Sequence, residues 1–490
     1  MPTSLGGMAR RSSRLSASAA QSELADALAA LRAELKVPVE FPPAALAEAE
    51  QASRAPLGEL PDLTRLDFLT IDPAGSTDLD QAMHLAVTDA GFEVHYAIAD
   101  VPFFVTPGGA LDDATRRRGQ TLYAPDGRIP LHPTEISESA GSLLPGQVRR
   151  AFVWRFELAG DGAVTSTSLT RALVKSRRQW SYEEAQRALD DGTAPPALAP
   201  LPAVGKALIA QEAARGGASL NTPDQEIVLT PAGYGVERRV PLPVEDWNAQ
   251  LSLLTGMAAA RIMLDGGVGI LRTMPPADEA AVAAFRAQTE LLDLPWAEGT
   301  EYGEYLRTLD RTQPRALAVL QAAASLFRGA GYEAFDGAPP AQPVQAALAA
   351  PYAHVTAPLR RLVDRWGLVV CEALSAGNPV PDWARDSLGE LPHIMASTSS
   401  VAGRLDASAL DRVEAAVLSA RIGDAFDAVV LTQNHTRTRI QLAEPAVDAS
   451  VEGVVGEPGE VVRVRLAAAE IATGTLTFEP LEAAGRLISG

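Results

Sequence analysis

The chain has one cysteine, Cys371, in 490 residues, so neither a disulfide framework nor a cysteine metal cluster is available to it. Its six histidines, at 84, 95, 132, 354, 393 and 435, include no His-x-x-x-His pair, and any resident metal must be held by carboxylates. No apolar run is long enough to cross a bilayer. Arg10, Arg11 and Arg14 are followed by no apolar segment of the kind a secretory signal needs, so a cytoplasmic protein without membrane contact is expected. A basic excess is also missing. The net charge of −19 argues against a broad basic face for nucleic acid but leaves room for a local basic channel, because steering depends on where charges sit.

What is there is a globular composition, 47% hydrophobic and 21% charged, on a chain too long for one core. The first twenty residues or so are rich in Ser, Ala, Gly and Arg and are expected to be mobile. Gln21 to Leu35 reads as an amphipathic helix with Leu24, Leu28, Leu31 and Leu35 on one stripe, and Ala44 to Arg54 as a second. This unit is either a packing appendage or a nucleic-acid-binding module of helix-turn-helix type. From Leu63 to about Leu173 the texture is that of strands: Phe68 to Ile71, Ala82 to Val87, Phe92 to Ala99, Gln120 to Ala124 and Ala151 to Leu158. Tyr182 to about Ala420 reads as helical, with one β interruption at Gln225 to Arg239. Its helices are expected at Trp247 to Leu264, Asp278 to Leu292, Pro314 to Phe327, Pro358 to Ser375 and Ala407 to Ala420. Beyond Gly423, five short β runs predict a small barrel of the OB type.

Two stretches carry chemistry. In Asp67 to Asp80, a strand delivers Asp72 to its end and a Pro-Ala-Gly-Ser turn presents Asp78 and Asp80, which share a side if the backbone there is extended. Three carboxylates in one loop repel one another unless a cation or protons neutralise them, and oxygen ligands at this density suit Mg²⁺ or Mn²⁺. Asp100, at the end of the second hairpin strand, is placed to join them. Taken alone, Asp-x-Asp in such a loop is equally ordinary turn chemistry. Downstream, Thr356 is a natural N-cap and Pro358 suits a first turn, which sets Arg360 and Arg361 near a helix start, a phosphate-binding arrangement. The same spacing also pairs Arg360 with Asp364 as plain surface decoration.

Together these stretches resemble the ribonuclease II family, whose catalytic domain is called RNB. The likeness runs through Ile71-Asp72, Asp78-Leu-Asp80, Tyr96-Ala-Ile-Ala-Asp100-Val, Thr121-Leu-Tyr123-Ala-Pro125, Ile129-Pro130-Leu-His-Pro133, Leu143-Leu-Pro-Gly146, Tyr182-Glu-Glu-Ala and His354-Val-Thr-Ala-Pro358-Leu-Arg360-Arg361. The resemblance implies a processive, Mg²⁺- or Mn²⁺-dependent 3′→5′ exoribonuclease that degrades single-stranded RNA to nucleoside 5′-monophosphates. It implies an acidic centre of Asp72, Asp78 and Asp80, with Asp80 closest to the chemistry, and Arg360 on the scissile phosphate. Tyr123 and Tyr182 would stack on bases, Arg361 would join the RNA contacts, and Asp411 would meet the terminal nucleotide.

Three departures stand out. The family reads Asp-x-Asp-Asp, and Gln81 occupies the fourth position here, offering a carbonyl oxygen to a metal but one charge fewer, which favours Mn²⁺. The two cold-shock domains usual before the catalytic domain are replaced by about sixty mostly helical residues. Thr-Ser-Pro-Ile-Arg becomes Thr356-Ala-Pro-Leu-Arg360. The expected architecture is an α+β multidomain chain: a helical N-terminal domain over 1–60, a mixed α/β RNB domain over 61–423, and an OB barrel over 424–490. A monomer is the family expectation. The rival readings are an RNA-binding protein that has lost its chemistry, prompted by Gln81, and a small-molecule phosphatase that needs only the acidic loop.

Overall fold

The computed structural model describes residues 19–218, 224–230, 233–310, 313–433, 436–442, 444–445, 447–453 and 455–481. Most of the N-terminal stretch expected to be mobile, and His435, lie outside the described residues.

Helices α1 (Ala19–Glu34) and α2 (Pro43–Ser53) precede a first barrel. Its strands are β1 (Phe68–Ile71), β2 (Gln81–Thr88) and β3 (Gly91–Ala99). Then come helix α3 (Ala110–Arg118) and a short hairpin of β4 (Leu122–Ala124) and β5 (Gly127–Ile129), followed by barrel strands β6 (Val148–Ala159) and β7 (Val164–Trp180). The sheet closes in the order β1-β2-β3-β6-β7, with β1 parallel to β7 and the other pairs antiparallel. Strand β1 is buried throughout, as are most of β3 and the middle of β6, which is why these stretches read as near-continuous apolar runs. Met83, Leu85, Val94, Tyr96, Ile98 and Trp154 enter one core, while Ala82, Ala97, Ala99, Ala151 and Val153 enter another.

Helices α4 (Tyr182–Asp190) and α5 (Leu201–Ala214) lead to a hairpin of β8 (Asp224–Thr230) and β9 (Gly233–Arg239), then to α6 (Pro243–Gly266). Next follow β10 (Val268–Thr273), α7 (Glu279–Leu291), α8 (Tyr302–Thr308), α9 (Pro314–Ala323), β11 (Gly331–Asp336) and the two-residue strands β12 (Val344–Gln345) and β13 (Ala350–Pro351). Helices α10 (Leu362–Ser375), α11 (Asp382–Ser387) and α12 (Leu391–Leu418) complete this part. The chain ends in a second closed barrel of β14 (Ala425–Gln433), β15 (Arg437–Leu442), β16 (Asp448–Glu452), β17 (Val461–Glu470) and β18 (Thr475–Pro480), in the order β14-β15-β16-β18-β17.

The first two helices are built into the rest. The α1 stripe of Leu24, Leu28, Leu31 and Leu35 packs with Leu122 and Ile129 of the short hairpin, Leu405, Ala409 and Val413 of α12, and Ile471 beside the second barrel's last hairpin. Ala45 and Ala49 of α2 pack with Leu111 and Ala114 of α3.

The expected helices are present, but two of them start well away from their expected positions and the helical middle hides more β structure than its pattern shows. β10 and β11 pair as an antiparallel ribbon inside the region read as helical. Strand β7 went unread because its exposed face is a run of Thr, Ser and Arg rather than an alternating apolar series. α12 starts at Leu391 rather than Ala407, since its Ser/Thr-rich first half masks the apolar period. α10 starts at Leu362 rather than Pro358. Arg361 is its extended N-cap, with φ −132 and ψ 127, and forms a bridge to Gln120 that holds the backbone out of the helix.

Candidate active site

The acidic loop is fixed by backbone hydrogen bonds at both ends. The Asp72 N–H donates to Trp180 O at 3.0 Å, and Gly75 turns the chain at φ +82 with the Ser76 N–H on Pro73 O at 3.1 Å. Ser142 then clamps the exit, its hydroxyl donating to Thr77 O at 2.7 Å and accepting from the Leu79 N–H at 2.9 Å. Asp78 and Asp80 are 7% and 4% exposed, so their carboxylates are committed to internal partners.

Those partners differ. Asp78 Oδ1 accepts from Arg128 Nη1 at 2.5 Å. Asp80 Oδ1 accepts from the Leu359 N–H at 2.7 Å, and its Oδ2 lies 3.6 Å from Arg360 Nε without a hydrogen-bond partner. Asp72 Oδ2 is also buried and unpartnered. Asp100 does not join the centre: its carboxylate takes Arg150 Nε at 2.9 Å and lies 3.8 Å from Arg171.

Arg360 sits in the Pro358–Arg360 turn, not in a helix, and its backbone carbonyl accepts from the Thr121 N–H at 2.9 Å. That bond ties it to the strand leading into Tyr123. Among the described residues its guanidinium makes no hydrogen bond, and its side chain is 29% exposed, so its donors are available to a ligand. Arg361 is different. Its guanidinium is bidentate to Asp364, at 2.9 and 2.8 Å, and Asp364 Oδ2 also accepts from the Ala357 N–H at 2.7 Å. The carboxylate that spacing paired with Arg360 belongs to Arg361, which braces the turn and presents no free fork to RNA.

Tyr123 and Tyr182 flank the centre. Tyr123 feels the charges of Arg360, Asp78, Asp80 and Arg128, and burial pushes its hydroxyl up to about 12. Tyr182, the first residue of α4, is raised by burial and by Asp72. Asp411 lies elsewhere, on α12 against the Gly474 turn of the second barrel, where a Cβ on Gly474 would come within 2.7 Å of its own. Sequence reasoning missed Arg128. The signal was the Pro-Asp-Gly turn, which closes a two-strand hairpin with Tyr123 directly opposite Arg128.

The electrostatics call for positive charge. Burial pushes the Asp72 carboxyl up to about 7 despite Arg360, with Asp78 adding to the rise. Burial also raises Asp78 against Arg128, and raises Asp80 well above the carboxylate range against Arg360. Two orphaned carboxylate oxygens that resist ionisation fit a hard cation such as Mg²⁺ or Mn²⁺. Among the described residues, however, no three His, Cys, Asp or Glu side chains stand close enough to share one ion. The free donors are those of Asp72 and Asp80.

A raised carboxyl stabilises the fold while protonated, so this contribution is full below the unfolded value near 4 and is lost as pH rises through about 7. The metal-free protein should therefore melt at a falling temperature from about pH 4 to about pH 7 and level off above that. Mn²⁺ should raise the melting temperature more at the top of that window than at the bottom, because it replaces the lost protons. Melting curves in EDTA and in Mn²⁺ across the window test this, and a flat profile in both would contradict it.

Gln81 gives no oxygen to that space. Its Nε2 donates to Thr356 O at 2.7 Å, and its Oε1 accepts from the Tyr96 hydroxyl at 2.5 Å and from Ser252 at 3.3 Å. The amide joins two barrel strands, α6 and the arginine-bearing segment, so the expected metal contact is replaced by a cross-brace. Gln81→Asp should lower the stability of the metal-free protein by roughly 2 to 3 kcal/mol, through an unpaired Thr356 carbonyl and a further buried anion. Denaturant unfolding in EDTA measures it.

Residues 61–372 match the RNB domain, and residues 424–481 match the C-terminal S1 domain of RNase II-type exonucleases. The chain belongs to the RNB family. Over 131 residues, 26% of its length, this RNB chain is 37% identical to the exosome complex exonuclease RRP44 homolog A of Arabidopsis thaliana. Over 134 residues, 27% of its length, it is 32% identical to Exoribonuclease 2 of Vibrio vulnificus. These stretches span 14% and 20% of the two relatives' own lengths. Mycoplasma genitalium RNase R, solved in complex with ribose-methylated single-stranded RNA, superposes with a TM-score of 0.85 at 17% identity, covering 94% of this chain and 78% of that one. Yeast Ssd1, described as a pseudonuclease, superposes at 0.64 and 16% identity, covering 81% and 51%. Likeness at these identities speaks for the RNB fold, which has both active and inactive bearers.

Proposed function

We propose that this protein is a divalent-metal-dependent 3′→5′ exoribonuclease that processively shortens single-stranded RNA to nucleoside 5′-monophosphates. The observation that carries the reading is the pair of unpartnered, buried oxygens of Asp72 and Asp80 facing the unbonded guanidinium of Arg360. Asp72 and Asp80 would hold Mg²⁺ or Mn²⁺, with Asp78 alongside. When bound, such an ion supplies Lewis acidity to the phosphodiester and makes water a better nucleophile. Arg360 offers its fork to the scissile phosphate and offsets charge as it develops there. Tyr123 and Tyr182, on either side of the centre, supply faces on which terminal bases stack. The second barrel holds upstream nucleotides, and Arg361 acts by fixing the Arg360 turn.

The protein is further read as a cytoplasmic monomer; no helix among the described residues is long and apolar enough to cross a membrane. Hydrolysis is favoured over binding alone because Asp72 and Asp80 each keep a carboxylate oxygen without a hydrogen bond beside Arg360, while Gln81 is accommodated by its own partners. The test is a 5′-labelled single-stranded RNA beside a DNA of the same sequence. Stepwise loss from the RNA's 3′ end with the DNA untouched supports the reading, and internal cleavage or equal attack on DNA overturns it.

A further inference from the structure

Arg128 is the residue of the centre that neither the acidic motif nor the arginine segment accounts for. The β4–β5 turn aims it at the acidic loop, and it is held there by three partners. Its Nη1 lies 2.5 Å from Asp78 Oδ1, its Nη2 lies 2.6 Å from Glu138 Oε1, and Nη2 also bonds the Thr77 hydroxyl. Thr77 in turn donates to Glu138 Oε2 at 2.9 Å. A guanidinium fixed on three sides is a permanent charge and not a mobile surface group. Asp78, 5% exposed along its side chain, is thereby neutralised from within.

The charge balance decides what this means. Around the loop stand four carboxylates, Asp72, Asp78, Asp80 and Glu138, with two guanidiniums, Arg128 and Arg360. With all four carboxylates ionised two negative charges remain, which one divalent ion neutralises and two ions would overshoot. Where the family pattern has a fourth acid, Gln81 adds no charge and its oxygen is taken. Of these four carboxylates, Asp72 and Asp80 each keep a buried oxygen without a hydrogen-bond partner.

We propose that Arg128 stands in for a second cation, so that the centre holds a single divalent ion, on Asp72 and Asp80, with Asp78 reserved for the arginine. The proposal rests on the functional reading above for the presence of a metal, but it is tested without RNA.

The experiment is direct Mn²⁺ binding to the full-length, metal-stripped protein, by calorimetry or by the spin-resonance signal of free Mn²⁺. The native protein should bind one Mn²⁺ per chain, and Arg128→Lys, which keeps the charge, should also bind one. Arg128→Gln frees Asp78 and should bind a second ion, or bind the first at least about tenfold more tightly. Two ions on the native protein, none at all, or identical binding by native and Arg128→Gln would overturn it. Circular dichroism confirms that each variant is folded, and the native stoichiometry decides even if Arg128→Gln is not. Hydrolysis, measured separately, keeps the two readings apart. One ion with no RNA cleavage sinks the function and leaves the stoichiometry, whereas two ions with cleavage do the reverse.

Discussion

Asp80→Asn is expected to slow RNA cleavage by roughly a thousandfold or more while leaving RNA affinity within about threefold of the native value. The substitution keeps the shape and the hydrogen bond from the Leu359 N–H, because an amide oxygen accepts as a carboxylate does. It removes a charge that faces both Arg360 and the orphaned-oxygen space. Burial raises the Asp80 carboxyl well above its ordinary range, so its ionisation is coupled to the arrival of a cation, and an amide cannot make that exchange. Single-turnover cleavage and a gel shift on the same RNA measure the two quantities. Equal loss of binding and cleavage would place Asp80 in RNA recognition instead.

Arg360→Ala should cost roughly a hundredfold to a thousandfold in the cleavage step, and Arg360→Lys should recover only part of it, since an ammonium cannot offer two parallel N–H donors. Arg360 is the largest opposing influence on the rise of both Asp72 and Asp80. Its removal should therefore also raise the pH at which those carboxyls ionise and move the alkaline-rising limb of the pH–rate profile upward. A loss of rate with an unmoved pH profile would mean that Arg360 meets the phosphate without governing the acids.

The acidic loop was legible in the sequence because its information is local. A strand of four apolar residues, a Pro-Ala-Gly-Ser turn and alternating aspartates fix where Asp72, Asp78 and Asp80 go. The second barrel was legible for the same reason, its short strands being separated by their own turns. What was not legible depends on which partner each buried group meets once the chain is folded. Gln81 looked like a weakened ligand until Thr356, Tyr96 and Ser252 appeared around it. Arg361 looked like a phosphate contact until Asp364 took its fork, and Asp100 like a fourth acid until Arg150 claimed it. The start of α10 was misplaced because Thr356 and Pro358 carry good capping chemistry that a bridge to Gln120 overrules. Gln81 and Asp100 reach partners 275 and 50 residues away, which spacing does not record, while Arg361 takes the carboxylate three residues on that helical spacing had offered to Arg360.

The central claim is that the Asp72, Asp80 and Arg360 cluster does chemistry on RNA and is not a relic of it. The measurement that tests it most directly is the release of nucleoside 5′-monophosphate from single-stranded RNA in Mn²⁺, in Mg²⁺ and in EDTA, with binding of the same RNA followed in parallel. The account predicts monophosphate in either metal and none in EDTA, with the RNA bound in all three. RNA that is bound yet intact in both metals would contradict it.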